Sequence, residues 1–216
     1  MKWHPSPNFA PRTETIRYVI VHGTWMDDDA SALQRLCDTQ AEVSCHYMIT
    51  YDAETIQLVK DDDVAWHAGK SQWGDLESLN KHSIGIEISY QGEASNEPYL
   101  EAQYEALEAL LTDLLHQHRI PPENVLGHSD IAPHRKDDPG RHFDWARLER
   151  KGLAAPWVPS DLEPIEAIRA KGYRGDDKEI LMAFQRRYLP NYVTGELCPI
   201  TAAFIKGEPE AEMPTS

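Results

Sequence analysis

The stretch PYLEAQYEALEALLTDLLHQH, residues 98–118, constrains this chain more than any other. Leu100, Tyr104, Leu107, Leu111, Leu114 and Leu115 recur at helical spacing and form one apolar stripe, which needs an apolar surface to cover it. Two runs of a different periodicity offer that surface. IRYVIV, residues 16–21, is β-branched and aromatic, reads as a buried strand, and delivers His22 at its C-terminal end. SIGIEISY, residues 83–90, alternates, so Ile84, Ile86 and Ile88 share one face while Ser83, Gly85, Glu87 and Ser89 share the other. Strands alternating with at least one long helix predict an α/β fold, a mixed central β-sheet flanked by helices.

The segments between fit that frame. ASALQRLCDTQ follows the acidic turn Asp27 to Asp29 and has helical spacing in Leu33, Leu36 and Cys37, with Ser31 as the expected cap. VSCHYMITYDAETIQLVKDDDVAWHAG alternates between Asp-rich turns and predicts two or three short strands. IPPENVLGH reads as a turn and a strand ending at His128, and FDWARLERKG as a short closing helix. After Gly152 comes a Pro-rich linker, AAPWVPSDLEP, then three helical segments, LEPIEAIRAKG, DKEILMAFQRRYL and CPITAAFIKG. The expected organisation is a domain over residues 1–155, a small all-α three-helix unit over 156–207, and an acidic disordered tail over 208–216. With so Pro-rich a linker, removal of residues 158–216 is expected to spare chemistry on a soluble substrate.

Composition excludes some functions. With 21 basic against 36 acidic residues the net charge is −15, and no broad basic patch is available for a nucleic-acid backbone. Cys37, Cys45 and Cys198 are odd in number and widely spaced, which fits reduced thiols better than a disulfide framework or a CxxC knuckle. No run approaches the ~18 apolar residues of a membrane span, and no apolar leader precedes the first strand. The expectation is a cytoplasmic monomer, with a periplasmic or secreted location as the alternative if a signal peptide has been removed.

One loop is unusually crowded. GHSDIAPHRKDDPG, residues 127–140, carries His128, His134, Asp130, Asp137, Asp138, Arg135 and Lys136. A solvated turn is the ordinary reading, since such residues make surface loops. A zinc hydrolase site needs about three N or O ligands converging from different elements, plus an open position. His22, His128 and one of Asp130, Asp137 or Asp138 offer that set, and spacing alone does not select the third.

The motifs IVHGTW, VSCHYMI, AWHAGKSQWG, LNKHSIGIEI and GHSDIAPHRKDDPG, in this order and at these intervals, resemble the zinc-dependent N-acetylmuramoyl-L-alanine amidases of the AmpD and AmiD type, whose fold is shared by peptidoglycan recognition proteins. The resemblance runs from about Ile16 to Trp145. It implies one Zn²⁺ per chain held by His22, His128 and Asp138, with Glu87 as catalytic carboxylate and Lys136 as catalytic cation. His134 and Asp137 are then neighbours rather than ligands. Trp66, His67, Asn80 and Arg135 resemble substrate-binding residues, against ordinary roles of core packing for Trp66, orientation of a ligand for His67 and a turn cap for Asn80. The implied substrate is a muropeptide or the intact sacculus, cleaved between the lactyl group of N-acetylmuramic acid and L-alanine of the stem peptide.

Two departures stand out. Gly23 follows the first histidine where the family often has Tyr or Asn, so a side chain is missing there. Cys45 stands where the phage and recognition-protein branch commonly has a catalytic Tyr, which leaves Glu87 as proton carrier and Cys45 itself as an alternative metal ligand. FQRRYLP in the C-terminal segment resembles a helix of the three-helix peptidoglycan-binding domain; three helices that merely complete the core are the competing reading. Two rival functions are a non-catalytic muropeptide-binding module, which would lose a ligand, and a zinc peptidase cutting within the stem.

Overall fold

The computed structural model describes residues 1–208, so the expected acidic tail lies, Glu208 apart, outside the described residues. In chain order the elements are β1 (Lys2–Trp3), β2 (Phe9–Pro11), β3 (Tyr18–Gly23), α1 (Asp29–Cys37), β4 (Tyr47–Ile49), β5 (Thr55–Gln57), β6 (Asp63–Ala65), β7 (Gln72–Trp73), β8 (Leu76–Glu77), β9 (Ser83–Ile88), α2 (Glu101–His118), β10 (Val125–Gly127), α3 (His128–Ile131), α4 (Trp145–Arg150), α5 (Pro164–Lys171), α6 (Asp177–Tyr188) and α7 (Pro199–Lys206). Six strands form the central sheet in the order β1-β5-β4-β9-β3-β10. β4, β9, β3 and β10 run parallel and β5 runs antiparallel to β4, the mixed sheet that the periodicities predict.

Each face of the sheet buries a different set. Val19, Val21, Ile84, Ile86 and Ile88 pack under Tyr104, Leu107, Leu111 and Leu114 of α2, with Trp145 and Leu148 of α4 in the same cluster. Tyr18, Ile20 and Leu126 face the other way and join Ile131 of α3 with Ile168, Ile180, Phe184 and Ile205 of the C-terminal helices. The helices expected over 156–207 therefore supply part of the sheet's second core. Removing residues 158–216 would expose Ile20, Leu126 and Ile131, contrary to the expectation drawn from the Pro-rich linker.

Local details differ from the sequence reading at two helix starts. α2 begins only at Glu101, so Leu100 stands before the first turn, 47% exposed and off the stripe, while Leu110 is buried instead. The Leu100 backbone N–H donates to Gln103 Oε1. For α1 the cap is Asp28, not Ser31: the carboxylate accepts from Ser31 N–H at 2.7 Å and from the Ser31 hydroxyl at 2.9 Å. A carboxylate outcompetes a hydroxyl there because it also answers the positive end of the helix dipole.

Candidate metal centre and catalytic pocket

The site forms at the C-terminal ends of β3, β9 and β10, where ligands of open α/β sheets characteristically bind. Parallel register pairs His22 with Glu87 across β3 and β9, and Val21 with Gly127 across β3 and β10. His128 thus leaves the sheet beside His22. The loop after α3 returns Asp138 to the same point, its carbonyl accepting from Ser129 N–H at 2.9 Å. His22 Nδ1 lies 2.9 Å from His128 Nδ1 and 3.2 Å from Asp138 Oδ2, and His128 Nδ1 lies 3.0 Å from that oxygen. All three residues are buried.

Counting protons shows what those three atoms can do. The Ser83 hydroxyl donates to Leu79 O at 2.6 Å, so at 3.1 Å from His67 Nε2 it can only accept. His67 therefore carries its proton on Nε2, and its bare Nδ1 accepts from His22 Nε2–H at 3.0 Å. His22 Nδ1 is left bare. His128 Nε2 lies 3.4 Å from both the carbonyl of Ala68 and Arg135 Nη2, so His128 turns its Nδ1 edge to His22 and Asp138. Burial first, and then the charge of His128, push the His22 pKa down to about 4, in line with a neutral ring. Burial alone would raise the Asp138 carboxyl, but the two imidazoles beside it hold it well below the usual carboxylate range. The bare His22 Nδ1, the His128 Nδ1 and an ionised carboxylate oxygen converge on one point. Zinc bonds of about 2.0–2.1 Å place tetrahedral ligand atoms about 3.3 Å apart, so the donor set fits such an ion with small adjustment.

Glu87 stands next to this triad. Burial first, and then the charge of Asp138, raise its carboxyl to about 8 against the opposing pull of Lys136. Its Oε2 is buried without a hydrogen-bond partner, an orphan of the kind found where a reacting group is to be met. Glu87, His128, Lys136, Asp138, Trp25, Trp66, His67 and Arg135 line one cavity of about 300 Å³. Lys136 forms no ion pair among the described residues, because its neighbour Asp137 is taken by Arg186 at 2.6 Å.

The remaining sequence candidates divide. Trp66 reaches the cavity wall. His67 lines the cavity too, but its ring is committed behind His22. Asn80 does not line it: its Oδ1 accepts from the backbone N–H groups of His67 and Ala68 at 3.1 and 2.6 Å, the turn-cap role. Arg135 lines the rim and donates to the carbonyls of Ala68 and Lys70. Of the alternative ligands, Asp130 is engaged by Arg187 at 2.8 Å, His134 is exposed, and Cys45 is buried against Ala32, Leu36 and Met48.

Four residues were not singled out by the sequence reading. Ser83 fixes the tautomer of His67, and Gly85 makes room for that ring, since a Cβ at Gly85 would fall 2.3 Å from His67 Cγ. The small residues around Glu87 were the available signal. Tyr99 explains Gly23: its hydroxyl, which donates to Pro139 O at 2.7 Å, would be 2.5 Å from a Cβ there. Trp25, with a left-handed φ of 50° and 41% exposed, stands at the cavity wall. A tryptophan inside the acidic turn TWMDDD, with no core to join, was the clue.

Comparisons with known proteins agree with this geometry. The family model for N-acetylmuramoyl-L-alanine amidase matches residues 12–141. N-acetylmuramoyl-L-alanine amidase AmiD of Escherichia coli is 34% identical over 217 residues, covering 84% of this chain and 78% of its own. The 1,6-anhydro-N-acetylmuramyl-L-alanine amidase AmpD of the same organism is 37% identical over 166 residues, 67% of this chain and 87% of its own. The solved complex of Escherichia coli AmiD with anhydro-N-acetylmuramic acid-L-Ala-D-γ-Glu-L-Lys superposes with a TM-score of 0.77 at 32% identity, covering 94% of this chain and 90% of that one.

Proposed function

The chain belongs to the family of N-acetylmuramoyl-L-alanine amidases, and from that premise we propose that it is a zinc-dependent hydrolase of the amide joining the lactyl group of N-acetylmuramic acid, anhydro or not, to L-alanine of the stem peptide. One observation carries the reading: three converging buried ligand-type atoms adjoin an unpartnered carboxylate oxygen on the neighbouring strand. His22 Nδ1, His128 Nδ1 and Asp138 Oδ2 would hold the ion. Zinc in that position supplies Lewis acidity, which makes a water more acidic and polarises a carbonyl.

The chain's own side chains do the rest. Glu87 accepts a proton from the attacking water and passes it to the leaving amine, a task suited to a carboxyl whose pKa is lifted towards neutrality. Lys136, on the same cavity wall, offsets negative charge developing on the carbonyl oxygen; a donor of this kind contributes about 10²–10³-fold in rate. His67, fixed by Ser83, holds His22 in the tautomer that leaves Nδ1 bare. Trp25 and Trp66 present apolar faces to the sugar. The AmiD complex supports a muropeptide as the ligand class.

Mass spectrometry of products from a 1,6-anhydromuropeptide and from sacculi tests the proposal. The expected products are the sugar and a peptide with a free L-alanine amino terminus. Cleavage inside the stem would instead identify a peptidase, and no cleavage by zinc-loaded protein would leave a binding module. The ratio of turnover on the two substrates distinguishes fragment recycling from wall turnover.

A further inference from the structure

Two successive arginines on α6 have side chains only 7% and 3% exposed. Burying a guanidinium is costly unless it is paired, and both are paired with the crowded loop. Arg187 Nη1 donates to Asp130 Oδ2 at 2.8 Å, Nη2 donates to Val125 O at 3.1 Å, and the guanidinium lies 4.0 Å over the Trp145 ring. Asp130 is otherwise saturated: Oδ2 also accepts from Gly127 N–H at 2.8 Å, and Oδ1 from the Tyr173 hydroxyl at 2.7 Å. Arg186 Nη2 pairs with Asp137 Oδ1 at 2.6 Å, and its Nε stands 3.8 Å from Glu93 Oε1.

These pairs fall just inside the two candidate ligands of the loop. Asp130 lies two residues after His128, and Asp137 one residue before Asp138. After Ile131 the loop has no regular secondary structure, and beyond its own turn hydrogen bonds it is braced from outside. Ile180, Ala183 and Phe184 of α6 share an apolar cluster with Ile131 and Ala132, and the two arginines hold the loop on either side of that contact.

We infer that Arg186 and Arg187 are positioning residues for the metal centre: α6 clamps the two carboxylates that lie just inside the ligands at either end of the loop and so keeps His128 Nδ1 and Asp138 Oδ2 at the separation one cation needs. The inference rests on the metal reading above. It gives the C-terminal helices a role in the chemistry that is separate from any contact with cell wall.

Zinc affinity by chelator competition and the visible spectrum of the Co²⁺-substituted protein test the clamp, with circular dichroism and thermal unfolding of the metal-free chain as controls for folding. Arg186→Met and Arg187→Met should each weaken zinc binding about 10- to 100-fold, the usual cost of losing a group that orients a ligand, and should shift the Co²⁺ bands. Arg186→Lys, which keeps an ion pair to Asp137, should recover most of the loss. Should Arg187→Met fail to fold, Arg186→Met decides alone, since its partner Asp137 is 47% exposed and tolerates solvent. Folded variants with wild-type affinity and spectrum would overturn the clamp alone. A wild-type chain that takes up no zinc would overturn the clamp together with the metal reading.

Discussion

His22 and Glu87 are register partners across the parallel β3–β9 pair, so an imidazole of the candidate ligand set and a carboxylate with an unpartnered oxygen leave the sheet side by side on one face. Adjacent parallel strands keep paired Cα atoms about 4.8 Å apart, close enough for one substrate atom to be reached by both side chains. The division of labour between them is open to measurement.

The chain should hold one zinc. Elemental analysis after dialysis should find it lost in His22→Ala, His128→Ala and Asp138→Ala and kept in His134→Ala. Retention by Asp138→Ala with loss in His134→Ala would mean that the loop donates differently.

Glu87→Gln should keep zinc and muropeptide affinity while turnover falls about 10²–10⁴-fold, the range for losing a general base. Lys136→Ala should lower kcat by about 10²–10³-fold with little change in KM. The acid limb of the pH–rate profile should shift in Glu87→Gln and survive in Lys136→Ala. More than about a tenth of wild-type turnover in zinc-loaded Glu87→Gln would hand the base role to another group.

Glu87 also makes the metal-free protein less stable at high pH. Its carboxyl is raised from 4.5 to about 8 by burial and by Asp138. Between those values the unfolded chain has lost the proton and the folded chain retains it, so stability falls as pH rises, by at most about 1.4 kcal/mol per pH unit. Urea titrations of the metal-free protein should show the wild type losing stability relative to Glu87→Gln as pH rises from 5 to 8. A stability difference between the two proteins that stays constant from pH 5 to 8 would contradict it.

His46 contributes the opposite slope. Burial and the adjoining Arg12 depress its pKa from 6.5 to about 3, and its ring is fixed by Gly85 N–H on Nδ1 and Asp63 O on Nε2. A buried neutral histidine stabilises the fold above pH 6.5, and that stability is lost as pH falls towards 3. Because His46 is outside the donor triad, His46→Gln should flatten acid unfolding between pH 6 and 4 whether or not zinc is present.

Gly85→Ala should damage the metal centre from behind. The new methyl would fall 2.3 Å from the His67 ring, so His67 must move away from His22. A zinc affinity lowered about 10- to 100-fold is expected, with the Ile84, Ile86 and Ile88 face undisturbed and circular dichroism unchanged. Wild-type affinity in this variant would show that His67 does not orient His22.

What the sequence determined by itself were the features that depend on local order. Alternation in SIGIEISY assigned Glu87 to the face opposite the isoleucines, the β-branched run before His22 put that residue at a strand end, and the stripe of residues 98–118 required a sheet. The order and spacing of five motifs identified the amidase resemblance and with it His22, His128 and Asp138. Tertiary structure alone decided the state and support of those groups, because the contacts responsible join distant positions. His22 and His128 are 106 residues apart, and the proton count that bares His22 Nδ1 runs through His67 and Ser83. Asn80 looked like a groove residue until its oxygen proved to be spent on two backbone N–H groups. The Pro-rich linker suggested an independent C-terminal unit, yet Arg187 reaches Asp130 across 57 positions and α6 shares the sheet's core. Periodicity records which face a side chain takes; which partner it meets there is a property of the packed chain.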